Sequence, residues 1–277
     1  MLPKRVDTIL GSIDQLRPMP SNVTRLLKEL EDPTITAGQI SDQIGLDQAL
    51  AALIMQMSNS ALLGYGRTCT SISDAVVRLG FKRIKSIVMA SAASDSMKRS
   101  LRGYRLGAGQ LWEHSLAVAV AAEWVAQAVH YPFPEEAYVT GLLHDMGKLM
   151  LDQYVLSDYT KIVEYMHRYR LSLWQVEEKL IGIDHAKVGG LMAEKWQFPE
   201  SLLYGIRNHH DPSSARKNAE LAAVVNMANA FASQTNEKLP DIHTKSIHPA
   251  SLAILNLSSD KIAPLQNRVN QILNVNA

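Results

Sequence analysis

Apolar positions recur along this chain at the three-to-four-residue spacing of helices, and no sustained apolar–polar alternation of the strand kind appears. In NVTRLLKEL, residues 22–30, Val23, Leu26, Leu27 and Leu30 fall at i, i+3, i+4 and i+7, one helix face, with Ser21 placed to cap it. Pro33 and Thr34 end that unit, Ile40 and Ile44 mark a short second helix, and ALAALIMQM, 49–57, a third. Ser73 and Asp74 are placed to cap a helix through Val76, Val77 and Leu79 that Gly80 closes, and KRIKSIVMASAASD opens another. QLWEHSLAVAVAAEWVAQAV is rich enough in alanine for neighbours to approach on several sides, which predicts a buried central helix. Further helices are expected near 134–152, 157–168, 171–181, 184–196, 199–210, 216–234 and 261–274, the last with Pro264 in its first turn. The pattern predicts an all-α protein. The glycine-rich stretch SLRGYRLGAGQ, 100–110, is the one shift in composition, and it divides the chain into two packed helical lobes, 1–106 and 107–277.

The bulk numbers narrow the class. Apolar residues make up 47% and charged residues 20% of 277 positions, the profile of a globular protein with a sizeable core. Lys and Arg total 28 against 27 Asp and Glu, so no bulk field recruits nucleic acid or an anionic membrane. The basic trio Lys82, Arg83 and Lys85 reads as a solvated helix start. The start, MLPKRVDTIL, lacks the apolar run of a secretory signal, and LAVAVAA, 116–122, falls short of the roughly 20 apolar residues that span a bilayer. A single cysteine, Cys69, forms no disulfide within the chain and fits a reducing compartment. These features place the expected location in the cytoplasm, with no membrane or nucleic-acid partner.

Within this apolar framework the histidines are not scattered. His114 interrupts the most apolar helix; His144 and Asp145 stand between leucine pairs in GLLHDMGKLML, 141–151; His185 opens a helix; His209 and His210 end another. His130, His167, His243 and His248 lie in polar or loop-like settings and are set aside. If the helices pack in one bundle, the first five imidazoles and one carboxylate converge in its interior. Each buried unsatisfied polar group costs about 1–3 kcal/mol, so such a cluster calls for a cation. Neutral imidazoles and a carboxylate suit a divalent transition ion such as iron, manganese, nickel or zinc, one ion or two sharing Asp145. Two ions in that arrangement could activate water and polarise a phosphoryl group. Lys148, one turn after His144, is either a helper that offsets phosphate charge or a solvated lysine stabilising a helix end.

His114 followed by His144-Asp145 resembles the HD phosphohydrolase superfamily, and His185 with His209-His210 resembles the longer ligand set of the HD-GYP cyclic-dinucleotide phosphodiesterases. LRPMPSNVTRLLKELEDP, MSNSALLG at 57–64 and AVVRLGFKRIKSIVMA at 75–90 together resemble the HDOD family, the HD-related output domains of bacterial signalling, over roughly residues 14–230. That resemblance implies an all-α fold whose second lobe is an HD-type bundle, and a role in bacterial signal transduction. Many members of the family lack the metal-binding histidines and act by binding partners, whereas this chain keeps His114, His144, Asp145, His185, His209 and His210. It lacks the Gly-Tyr-Pro motif of the phosphodiesterases. By the same resemblance Asn226, in AVVNMANAFA, stands where the superfamily has its final aspartate, and Gln110 where some members have a glutamate.

Three functions follow from these residues. One is a regulatory output protein whose metal site binds an ion, and a nucleotide or phosphoester with it, but turns over slowly. The second is a working metal-dependent phosphohydrolase with Asp145 and Lys148 as catalytic residues. The third is a protein-binding helical module with a vestigial site. The retained histidines weigh against the third; Asn226 and the missing Gly-Tyr-Pro weigh against a fast enzyme. The expected partner is another signalling protein.

Overall fold

The structure, a computed structural model, describes residues 2–16, 18–60, 68–235 and 246–275; residues 61–64 of MSNSALLG and His243 lie outside them. The described residues are helical, with no strand and one isolated bridge between Leu101 and Leu106. The first helices are α1 (Leu2–Asp14), α2 (Ser21–Glu29), α3 (Ala37–Gly45), α4 (Gln48–Ser58) and α5 (Ile72–Met97). Local chemistry sets their starts. Thr36 and Gln39 form a reciprocal capping box on α3, and Asp47 accepts the Ala49 and Leu50 amides of α4. Two expected caps move: Pro20 rather than Ser21 precedes α2, and Ser71, not Ser73, accepts the Asp74 amide at 3.1 Å. Gly80 (φ 74°) breaks the helical path inside α5, where a side chain would be strained.

The rest of the chain contributes α6 (Gln110–Ala128), α7 (Pro134–Leu143), α8 (Lys148–Tyr169), α9 (Leu173–Leu180), α10 (His185–Lys195), α11 (Glu200–Arg207), α12 (Ala219–Thr235), α13 (Pro249–Ile254) and α14 (Ile262–Val275). The alanine-rich α6 is central, packed on α7 and α12. Its small side chains let α7 approach so closely that a Cβ on Gly141 would stand 2.9 Å from the Ala119 Cα. Helix α5 packs on α2, α3 and α4 on one side and on α7 on the other, and the buried apolar residues form one cluster from Ile9 to Leu273. Arg83 of α5 pairs with Glu123 of α6 at 2.7 Å and covers the Tyr138 ring; Lys82 and Lys85 reach Glu135 and Glu31. Arg83 is thus a packed ion-pair partner and not the solvated residue expected. No helix among the described residues is long and apolar enough to cross a membrane.

The 100–110 stretch closes a tight turn. Leu101 and Leu106 exchange backbone hydrogen bonds of 2.9 and 3.0 Å, and Tyr104 is driven into the interior with no exposed surface. The helix expected over 134–152 is broken at residues 144–147, and the one expected over 157–168 is the second half of α8. At the break the chain tightens to i→i+3 bonds, Met146 N to Leu143 O and Lys148 N to Asp145 O. Gly147 lets the start of α10 pack directly on this turn, since a Cβ there would stand 2.0 Å from the His185 carbonyl. The tightened turn carries His144 and Asp145.

Candidate metal centre

Four segments deliver polar side chains to one buried point beside this turn. His114 comes from the middle of α6, His144 and Asp145 from the α7–α8 turn, His185 from the first position of α10, and His209 and His210 from the turn after α11. Their exposures are 2%, 0%, 1%, 1%, 0% and 7%, so the cluster is sealed from solvent in this conformation. Asp145 is its hub. His144 Nε2 and His114 Nε2 lie 3.3 and 3.9 Å from its Oδ2, and His185 Nε2 and His209 Nε2 lie 3.2 and 3.9 Å from its Oδ1. His210 Nε2 is 2.8 Å from His185 Nε2. The donors therefore fall into two sets that share one carboxylate: His114, His144 and Asp145, and Asp145, His185, His209 and His210, with each set's ligand atoms within 4.8 Å of one another.

The donor set fits a cation on grounds of hydrogen bonding. His144 Nδ1 lies 2.7 Å from Gly141 O and His209 Nδ1 2.8 Å from Ile206 O. A carbonyl only accepts, so Nδ1 carries the proton in each ring, and in the neutral ring Nε2 is a bare lone pair facing Asp145. Both Nε2 atoms, Asp145 Oδ1 and His210 Nδ1 are buried without a hydrogen-bond partner. Lone pairs crowded on a carboxylate repel unless a cation lies among them. Charge on the rings is suppressed in the same way. Burial, then the neighbouring His144, lowers His114 to about 3, and burial with adjoining imidazoles holds His209 and His210 well below the usual imidazole range. Burial alone would raise the Asp145 carboxyl, but the Lys148 ammonium on Oδ2 and the His185 ring beside Oδ1 overcome it and hold the group ionised well below the usual carboxylate range.

His185 differs from the other rings. Its Nδ1 lies 2.6 Å from Glu177 Oε2, which also accepts the His185 backbone amide at 2.9 Å, and Glu177 Oε1 accepts the Tyr104 hydroxyl at 2.7 Å. Burial works to lower His185, but Glu177 and Asp145 outweigh it and push the ring up to about 9. Tyr104, Glu177 and His185 thus form a buried relay that fixes the ring facing the cluster, the carboxylate–histidine arrangement common behind metal ligands. Sequence reasoning missed Glu177. Its signal is positional, since Leu173, Val176, Glu177 and Leu180 stand at i, i+3, i+4 and i+7, a carboxylate within an apolar stripe.

Three expectations need correction. Lys148 is neither solvated nor at a helix C-terminus: it opens α8, is 3% exposed, and places Nζ 2.5 Å from Asp145 Oδ2 and 5.5 Å from the centre of the Tyr104 ring. Asn226 is committed elsewhere. Its amide donates to His209 O at 2.9 Å, and its oxygen accepts from His248 N and Ser251 Oγ, both at 2.8 Å. One turn further along α12, Asn229 Oδ1 is the amide oxygen at the cluster, 3.1 Å from His114 Nε2. Gln110 accepts the Gly107 amide at 2.7 Å and so closes the turn before α6. Of the histidines set aside, His130 and His167 are exposed, and His248 caps α13.

Comparison with known proteins agrees with this architecture. The HDOD domain family matches residues 16–212. A solved HDOD domain protein of unknown function from Geobacter sulfurreducens is 26% identical, with a TM-score of 0.73 over 97% of each chain. A solved protein from Shewanella amazonensis, provisionally assigned as a phosphohydrolase, is 25% identical, with a TM-score of 0.70 over 97% of this chain and 98% of that one. An uncharacterised protein of Treponema pallidum is 25% identical over 228 residues, which make up 82% of this chain and 44% of that protein, so the chain spans under half of that relative. The chain belongs to the HDOD family.

Proposed function

We propose that this HDOD-family chain is a bacterial signal-transduction output module, cytoplasmic, whose HD cluster holds one or two divalent transition ions and turns phosphoesters over slowly or not at all. The observation that carries the reading is the burial of the whole donor set together with Lys148 on Asp145 Oδ2. His114, His144, His185, His209 and His210 would hold the ions, with Asp145 shared between the two sets. An ion bound there supplies Lewis acidity and lowers the pKa of bound water. The chain's own residues bind, orient and exclude. Gly141 O and Ile206 O fix two rings, Glu177 and Tyr104 fix a third, and the packed α6, α7 and α10 keep water out. A nucleotide-sized phosphoester has no route to atoms this buried unless the helices part, and Lys148 already engages the carboxylate that such chemistry would use. On this reading the output passes to a partner signalling protein.

The second reading is a metal-dependent phosphohydrolase acting on a nucleotide or phosphoester, with Asp145 and Lys148 in catalytic roles. The convergence of two donor sets on both oxygens of Asp145 favours it. Elemental analysis of protein purified without an affinity tag, paired with hydrolysis of bis(p-nitrophenyl) phosphate under added iron, manganese, nickel or zinc, separates the two. The output reading expects retained metal with hydrolysis near the blank. Brisk metal-dependent turnover would favour the enzyme, and protein that takes up no metal would remove both.

A further inference from the structure

A cavity of about 790 Å³ opens against α8 and α10, with none of the cluster's donors on its wall, well within the roughly 300–1,000 Å³ usual for small-molecule sites. Its wall is mostly apolar, with Met19, Met150, Met192 and Trp196 as its large side chains. Unbranched thioethers repack around irregular apolar shapes, and the indole offers a flat face. The polar groups on the wall are Ser96, in the last turn of α5, and Arg99 and Ser100, just beyond its end at Met97. No carboxylate lines the cavity among the described residues. An adjoining groove shares Met19 and Trp196 and adds Lys28, Lys85 and Lys195 against one acid, Glu31, so the approach is positive as well.

We propose that this cavity is a binding site for a small organic anion with an apolar body, a medium-chain acyl or aryl carboxylate, and that its occupancy is felt at the metal centre. The recognition chemistry is an apolar chamber with a guanidinium and two hydroxyls supplied from the last turn of α5 and the residues after it, which suits a carboxylate bound two-pronged by Arg99. The coupling runs through two short paths. Leu149 and Met150 of the wall follow Lys148 directly, and Leu101 of the wall opens the turn that buries Tyr104 against Glu177. An occupant that packs on both would order Lys148 and the relay to His185. The coupling rests on the metal reading above; the binding does not.

Dodecanoate serves as the probe for binding, titrated calorimetrically and by the change in tryptophan emission, to which Trp196 on the cavity wall contributes. Zinc affinity, measured by competition with a chelating dye at zero and saturating dodecanoate, reads the coupling without any enzyme assay. Saturable one-to-one binding is expected. Arg99→Gln, at an exposed position, is expected to weaken binding about tenfold. Ala92→Leu, which fills part of the chamber, should weaken it too. Dodecanoate should raise zinc affinity about fivefold or more, and Tyr104→Phe should keep dodecanoate binding while shrinking that factor toward one. Absence of binding, or binding indifferent to both Arg99→Gln and Ala92→Leu, overturns the site. Binding that leaves zinc affinity unchanged overturns the coupling. Protein that binds dodecanoate but no zinc removes the metal reading and the coupling with it, and leaves the cavity established.

Discussion

Helices α8 and α10 each border two regions of opposite character. Toward the centre they present Lys148 and His185, both nearly inaccessible, in a cluster of ring nitrogens, a carboxylate and an ammonium. Toward the cavity they present Leu149, Met150, Met192 and Trp196, apolar groups around open space. Each region carries an unmet demand of its own kind. In the cluster, bare Nε2 lone pairs face an ionised carboxylate, a demand met by a cation. In the cavity, apolar side chains that pack on the core also border open space, which an apolar body would fill. The same helix thus reads as a ligand platform or as a ligand wall according to the residue one position along.

The sharpest break in the comparison is Asp145→Ala. In the cluster it removes the anion that Lys148, His144 and His185 face, and disrupting a buried pair costs about 3–5 kcal/mol. Metal content should fall to the blank, and the denaturant midpoint should drop with it. Arg99→Gln, on the cavity side and exposed, should shift stability by less than about 0.5 kcal/mol. Equal stability losses at the two positions would erase the distinction between a mutually dependent polar cluster and an independent wall.

Acidity should separate the regions next. In metal-free protein His114, His209 and His210 resist protonation, whereas in the unfolded chain imidazoles take up protons near 6.5. Stability therefore falls as the pH drops below about 6.5. His185, raised to about 9, has the opposite sign: its contribution is complete below about 6.5 and is lost as pH rises through about 9. Three rings against one make the acid limb the steeper, with a maximum near pH 6.5, and Asp145 adds further loss below its ordinary value of 3.8. Chemical denaturation across pH 4–10 checks this. Ala92→Leu should displace the whole curve without changing its shape, because it alters no titrating group; a curve symmetric about neutrality would contradict the assignment of these rings.

A smaller effect is expected from Tyr104→Phe, which sits on the path between the two regions. Loss of the hydroxyl deprives Glu177 of one of its three donors, at a cost of about 1–3 kcal/mol. Groups behind a metal ligand typically contribute 10–100-fold to affinity, and zinc should bind about tenfold more weakly. Unchanged zinc affinity would make the relay a packing feature only.

Most of the fold was legible because helical periodicity is local. The stripes at 22–30 and 49–57 became α2 and α4, and the alanines of α6 did bring α7 into close contact. The break at 144–147 was not legible. The turn there packs on the His185 carbonyl across the fold through Gly147, a contact with no trace in the residues around it. Helices α1 and α13 escaped notice because each is short or polar and is stabilised by what it packs on. The histidines of the cluster were visible as polar interruptions of apolar runs. Tyr104 was not, because it belongs to a turn whose sequence looks like a loop.

The two asparagines of α12 give the last and finest test. They stand three positions apart, close to one helical turn, so the sequence alone could not say which one faces the cluster. The structure divides their roles. Asn226 uses its amide N–H on His209 O and its oxygen on His248 and Ser251, and so holds the His209 turn and α13 to α12. Asn229 places its oxygen beside His114, with Ser233 Oγ at 3.2 Å as its other contact. Asn229→Asp would therefore add an anion at the first donor set, which should raise zinc affinity by up to about tenfold. The same change should destabilise metal-free protein, because the new carboxylate is buried near Asp145. Asn226→Asp replaces a donor to a carbonyl with a second acceptor, so it should lower stability and leave zinc affinity no higher. A rise in affinity at position 226 and none at 229 would place the ligand-facing side of α12 one turn earlier than the structure has it.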